Sequence, residues 1–158
     1  MIETESLILD KAKFSDWKEM YRNVWSQPES ARYMAWSITT SEEAAKIRIV
    51  KTIAFQKEHD TYVVYEKSSG KAIGFAGVEK LEPCIYQEAG ICLGPNYVGK
   101  GFGRQILQGL IQYCKEQFGA KEFIYSTRDE NTASNRLAKS FGFLLISSAA
   151  KIDSKDGH

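Results

Sequence analysis

Three glycines at alternate positions, Gly99, Gly101 and Gly103, separate a strand-like run from a long amphipathic stretch. The whole connector reads Gly94-Pro95-Asn96-Tyr97-Val98-Gly99-Lys100-Gly101-Phe102-Gly103-Arg104. At a strand-to-helix junction such glycines let the backbone approach a ligand closely and leave several N–H groups unpaired. Added to the positive end of the following helix, those N–H groups make a cradle for an anion. Lys100 and Arg104 bring further positive charge to its rim, so a phosphate-bearing ligand is the natural guest.

Spacing narrows the choice of guest. A Walker A loop needs GxxxxGK followed by Ser or Thr; Gly94 to Lys100 fits, but Gly101 occupies the place of the metal-binding hydroxyl. The dinucleotide fingerprint GxGxxG fails as well, because Arg104 or Ile106 stands where the third glycine belongs. What remains is xGxGxG at a helix start. A connector that binds nothing would not need three glycines, each of which raises the entropy lost on folding.

The rest of the chain supplies a single α/β domain over residues 1–150 and a polar tail over 151–158. Leu7-Ile8-Leu9 predicts a first strand, and Trp17, Met20, Tyr21, Val24 and Trp25 form the apolar face of a helix that stops before Pro28. A second helix begins near Thr40, which has capping-box spacing to Glu43, and runs to about Glu58. Thr61 to Glu66 and Ala72 to Glu79 predict an antiparallel hairpin, and Gln87 to Leu93 a further strand. The helix after the turn carries Ile106, Leu107, Leu110, Ile111, Cys114 and Phe118 on one side and ends at Gly119. Strand 122–127, helix 132–141 and strand 144–149 complete the pattern. This order predicts a mixed sheet with helices on both faces, parallel around the long central helix, and a ligand site where strands diverge at their carboxyl ends.

Charge and composition exclude several functions. Lys and Arg total 21 against 20 Asp and Glu, a formal charge of +1, and they are well mixed. No clustered basic surface for nucleic acid and no membrane-spanning run is expected, and the acidic start (Ile2-Glu3-Thr4-Glu5) does not resemble a signal peptide. A cytoplasmic protein is the expectation. Cys84, Cys92 and Cys114 form no CxxC pair, and His59 and His158 are isolated, so no metal site is expected and the cysteines read as small reduced hydrophobes.

Val98-Gly99-Lys100-Gly101-Phe102-Gly103 resembles the coenzyme-A loop of the GNAT acetyltransferase superfamily, Arg/Gln-x-x-Gly-x-Gly/Ala. Both glycines and the aromatic between them match, whereas Val98 departs at the Arg/Gln position. A second stretch, Asn131-Thr132-Ala133-Ser134-Asn135-Arg136 through Lys139 to Gly142-Phe143, resembles the signature of one branch. That branch includes enzymes acetylating the N-termini of ribosomal proteins. Glu5 to Leu9 and Gly70 to Gly74 also fit, with Asp10 standing where Arg is frequent. The resemblance spans nearly the whole chain, from about residue 4 to 146.

It implies acetyl-CoA as cosubstrate, no metal, and an amine acceptor, either a small molecule or a peptide N-terminus. Homodimers are a family habit. Backbone N–H groups from Gly99 through Lys100, Gly101, Phe102 and Gly103 to Arg104 would hold the pyrophosphate. Main chain at Ile91, Cys92 and Leu93 would pair with the pantetheine arm like an added strand. Asn131 and Ser134 would contact that arm, although both residue types also suit helix caps. A primary amine with a pKa near ~10 must lose a proton before it attacks a thioester. Glu88, in the segment Glu88-Ala89-Gly90, is the first candidate base and Glu79 the second. Ala138 stands where many relatives carry a tyrosine acid, leaving Tyr97, water or no fixed acid. Trp36 is the N-terminal aromatic best placed to meet an acceptor. A non-catalytic coenzyme-A-binding module is the alternative function.

Overall fold

The computed structural model describes residues 1–31 and 37–124. Within them six strands form one sheet in sequential order: β1 (Ile2–Glu3), β2 (Leu7–Asp10), β3 (Asp60–Glu66), β4 (Ala72–Glu82), β5 (Ile85–Leu93) and β6 (Glu122–Ile124). All neighbours are antiparallel except β5 and β6, which run parallel with Ile85 opposite Glu122 and Gln87 opposite Ile124. A parallel pair requires a crossover, and α4 (Phe102–Phe118) provides it. The predicted mixed sheet is therefore present. The predicted strand 122–127 is present as β6 over its first three residues, and its remainder, helix 132–141, strand 144–149 and the tail lie outside the described residues.

Helix α4 covers one face. Ile106, Leu107 and Leu110 are fully buried, and Ile106, Leu110 and Cys114 pack with Leu7, Leu9, Tyr62, Val64, Ala76 and Val78. Each such aliphatic side chain contributes roughly 1.5–3 kcal/mol of gross burial energy. Gly119, at φ +65°, ends α4 in the left-handed conformation, and Ala120 N–H donates back to the Cys114 carbonyl.

The other face carries the N-terminal helices. A 3-10 turn (Phe14–Asp16) leads into α1 (Trp17–Met20), a π turn (Tyr21–Trp25) and then α2 (Pro28–Ala31). Met20, Val24 and Trp25 pack with Ala45 and Ile49 of α3 (Glu42–Glu58) over Val63 and Cys92. Asn23 Nδ2 donates to the Ala72 carbonyl at 2.9 Å, and the Glu19 carboxylate accepts the Ala72 N–H at 3.0 Å, so this segment grips the start of β4.

Helix α3 is capped by Ser41, whose Oγ accepts the Ala44 N–H at 3.1 Å. This corrects the expectation of a Thr40 cap, because the helix begins at Glu42 and the capping oxygen must come from the residue just before it. At its other end Lys11 Nζ donates to the carbonyls of Gln56 and His59 at 2.8 Å, satisfying acceptors at the negative end of the helix. No described helix is long and apolar enough to cross a membrane.

Candidate functional site

The turn between β5 and α4 is pinned at both ends and open in the middle. Gly94 N–H donates to the Ile73 carbonyl at 2.8 Å, and a 3-10 turn follows over Pro95–Tyr97. At the helix end, Gln105 Oε1 accepts from Thr4 Oγ1 at 2.8 Å and from Ser6 N–H at 2.9 Å, tying α4 to the β1–β2 connection. Between these anchors Gly99 and Gly101 take φ of +79° and +81°, a region that L side chains rarely adopt. Gly101 is the N-cap of α4 and supplies no side-chain oxygen to its first turn. An α-helix leaves its first N–H groups without intrahelical acceptors, so those at the start of α4 face outward. Phe102 is buried and holds the helix start against the core, whereas Lys100 and Arg104 are exposed. Lys100 Nζ sits 5.5 Å from the Tyr97 ring centroid. Outward N–H groups, a helix N-terminus and two cations together suit a diphosphate.

Upstream, β5 carries a bulge. Ala76 faces Ile91 and Val78 faces Glu88, so two steps on β4 correspond to three on β5. Gly90, at φ +125°, absorbs the extra residue. Beyond the bulge Ile91, Cys92 and Leu93 pair with Ala76, Phe75 and Gly74 along one edge. On the other edge, among the described residues, pairing with β6 stops at Gln87. A cavity of about 410 Å³ opens at the bulge on the α3 side of the sheet, bordered by Arg48, Lys51, Phe55, Thr61, Gly77 and Gly90. Arg48 donates to Thr39 Oγ1 at 3.0 Å and lies 4.7 Å from the Trp25 ring centroid. Burial lowers its pKa to about 10, which leaves it a cation at neutral pH. The Thr61 hydroxyl is buried with no hydrogen-bond partner among the described residues.

The family described as acetyltransferase (GNAT) domain matches residues 6–144. The chain belongs to the GNAT acetyltransferases. Among relatives of this GNAT protein, an uncharacterized N-acetyltransferase, p20 of Bacillus licheniformis, is 27% identical over 89% of this chain and 80% of its own. A GNAT-family acetyltransferase from Bacillus anthracis superimposes with a TM-score of 0.78 at 21% identity, covering 92% of this chain and 84% of that one. The ribosomal alpha-N-protein acetyltransferase RimL, solved in complex with coenzyme A, has a TM-score of 0.70 at 21% identity and covers 87% and 79% respectively. Such distant structural likeness speaks to the fold.

In this GNAT domain the predicted loop residues, Val98 to Arg104, run from the turn into the first residues of α4, and Ile91 to Leu93 lead into the turn from β5. Cys92 is buried among Met20, Trp25 and Ile49, in keeping with a small hydrophobe. The two candidate bases fall on opposite faces. Glu88 is half-buried, and its register with Val78 and alternation with Tyr86 put it on the α4 side. Glu79 pairs with Gln87 on the α3 side, the side of the cavity, and its carboxylate accepts from the Gln87 amide. Trp25 is core, and Trp17 and Tyr21 pack beside it half-buried. Trp36, Asn131, Ser134 and Ala138 lie outside the described residues. Sequence reasoning did not single out Arg48, Lys51 or Thr61. The spacing of Arg48 and Lys51 puts both on one face of a helix, but nothing local marks that face as a cavity wall.

Proposed function

We propose that this GNAT protein transfers the acetyl group of acetyl-CoA to a primary amine by direct attack, with a carboxylate as base. The observation that carries this reading is the glycine N-cap of α4. A helix start lacking a capping side chain, opened by two positive-φ glycines at the end of β5, is suited to a diphosphate. The N–H groups of residues 99–104 would hold that diphosphate. The backbone of Ile91 to Leu93 would lay the pantetheine arm along β5, with Asn131 and Ser134 beside it. The thioester then falls near the bulge, next to the cavity. The amine nitrogen attacks the carbonyl carbon, the C–S bond breaks, and the departing thiolate takes a proton from water or a neighbouring group. We assign removal of the amine proton to Glu88, directly or through a water. Glu79 is the second reading, because it shares the face on which the cavity opens. We also place the reaction in the cytoplasm and, from the resemblance, expect a homodimer.

An acceptor screen read by mass spectrometry, with thiol release as a second readout, tests this. Acetylated product is expected, and Glu88→Gln should lower kcat about a hundredfold at neutral pH. Loss of rate in Glu79→Gln instead would transfer the role to Glu79. Tight acetyl-CoA binding with no product from any amine would point to a coenzyme-A-binding module.

A further inference from the structure

The walls of the cavity carry a charge pattern that bears on the acceptor. Arg48 and Lys51 are three residues apart on α3 and border the same space. Phe55 and Phe75 give that space apolar walls, and no Asp or Glu lines it among the described residues. Lys51 is exposed and makes no ion pair with any described residue. Like charges on neighbouring turns of a helix repel, and a low-dielectric wall strengthens that repulsion. The lowered pKa of Arg48 registers the cost of holding its charge out of water. An anion between the two side chains relieves that repulsion.

We infer, building on the acetyl-transfer reading, that the acceptor is an amine that also bears a carboxylate and an apolar body. The carboxylate sits between Arg48 and Lys51, the apolar body lies against Phe55 and Phe75, and the amine points toward Gly90 at the bulge. Two consequences follow from electrostatics. A second amino group on the acceptor would meet the two cations, so polyamines bind poorly. The same positive field disfavours the ammonium form of the reacting group, which leaves more of it as the neutral nucleophile. At about 410 Å³ the cavity suits a small acceptor or the first residues of a peptide. A free amino acid and a peptide with an early acidic residue present the same chemistry.

The test titrates amines onto the full chain saturated with coenzyme A, by calorimetry. Amino acids with apolar side chains, and dipeptides with Asp second, are each compared with their carboxamide counterparts, and spermidine is added. The carboxylate forms should bind at least ten times more tightly than the carboxamides, and spermidine least of all. The arm that binds tighter, amino acid or dipeptide, identifies the source of the carboxylate. Lys51→Glu, at an exposed position, should reverse the order and favour spermidine while leaving affinity for coenzyme A at the parent value. Equal binding of carboxylates and carboxamides, or an unchanged order in Lys51→Glu, would overturn the inference while leaving acetyl transfer intact. Failure of the parent protein to bind coenzyme A would instead remove the acetyl-transfer reading on which it rests.

Discussion

At Gly74 and Gly94 one added carbon would lie 2.2 Å from the Cys92 carbonyl oxygen and 2.1 Å from that of Asn23, whereas at Gly99 and Gly101 it would meet no atom of the described residues within 4 Å. These glycines sit close together around the end of β5, yet they answer different needs. The first pair lets main chain pass against main chain. Gly94 brings the turn hard against the α1 segment, and Asn23 in turn holds β4 through its bond to Ala72. The second pair is open to solvent and buys nothing in packing. Its value lies in the backbone direction that positive φ allows, and hence in where the N–H groups point. A rigid scaffold thus ends within a few residues of a surface shaped for a ligand.

Breaking the packed side of this contrast should have the largest effect. Gly94 has φ −59° and ψ 149°, values that alanine adopts freely, so Gly94→Ala tests the close approach alone. Because the obstacle is a backbone carbonyl, relief requires the α1 segment or the turn to move. A loss of about 3 kcal/mol is expected in urea unfolding. Parent-like stability would mean that Gly94 is as unconstrained as Gly99.

On the open side the expected loss is in binding more than in folding. Gly101→Ala meets no atom of the described residues, but the left-handed conformation of a non-glycine residue costs about 1–2 kcal/mol. If the turn relaxes to escape that strain, the N–H groups at the start of α4 swing away from a common point. Acetyl-CoA affinity should then fall by about 30-fold, equivalent to about 2 kcal/mol, in calorimetry on the folded variant. An unchanged affinity would separate this turn from the diphosphate and leave its positive φ without a purpose.

The same contrast explains how far the sequence can be read. Open glycines at a helix start declare themselves, because their spacing and the periodic face of Ile106, Leu110 and Cys114 are local patterns. Gly119 as a helix stop and the β3–β4 hairpin are local in the same sense. Gly74 and Gly94 are conspicuous only once Cys92 and Asn23 are placed opposite them, and those partners come from other elements. The two residues of β1 are too few to show alternation, and they become a strand by pairing with Ile8 and Leu9. The cap of α3 falls one position beyond the Thr40 that the capping-box spacing predicts, since Thr40 and Ser41 both carry a suitable hydroxyl and only the helix start chooses between them. The cavity is the least legible part. Arg48, Thr61 and Gly90 come from three elements, and no single stretch announces their meeting.

Gly109 falls between the two classes and gives the smallest and most discriminating expectation. It lies inside α4, where alanine is favoured over glycine by about 1 kcal/mol. Its added carbon would meet side-chain methyl groups, Thr4 Cγ2 at 3.2 Å and Ile2 Cγ2 at 3.3 Å, and, among the described residues, no backbone of another element. Ile2 belongs to a two-residue strand near the chain start, which can shift by a few tenths of an ångström more easily than the core can. Thr4 resists somewhat, because its hydroxyl donates to Gln105 and accepts the Leu7 N–H. The gain in helix propensity and the crowding therefore nearly cancel, and Gly109→Ala should lie within about 0.5 kcal/mol of the parent in a urea melt. A loss as large as that expected for Gly94→Ala would show that a methyl wall is as unyielding here as a carbonyl wall. The distinction between scaffold and ligand surface would then rest on the positive φ of Gly99 and Gly101 alone.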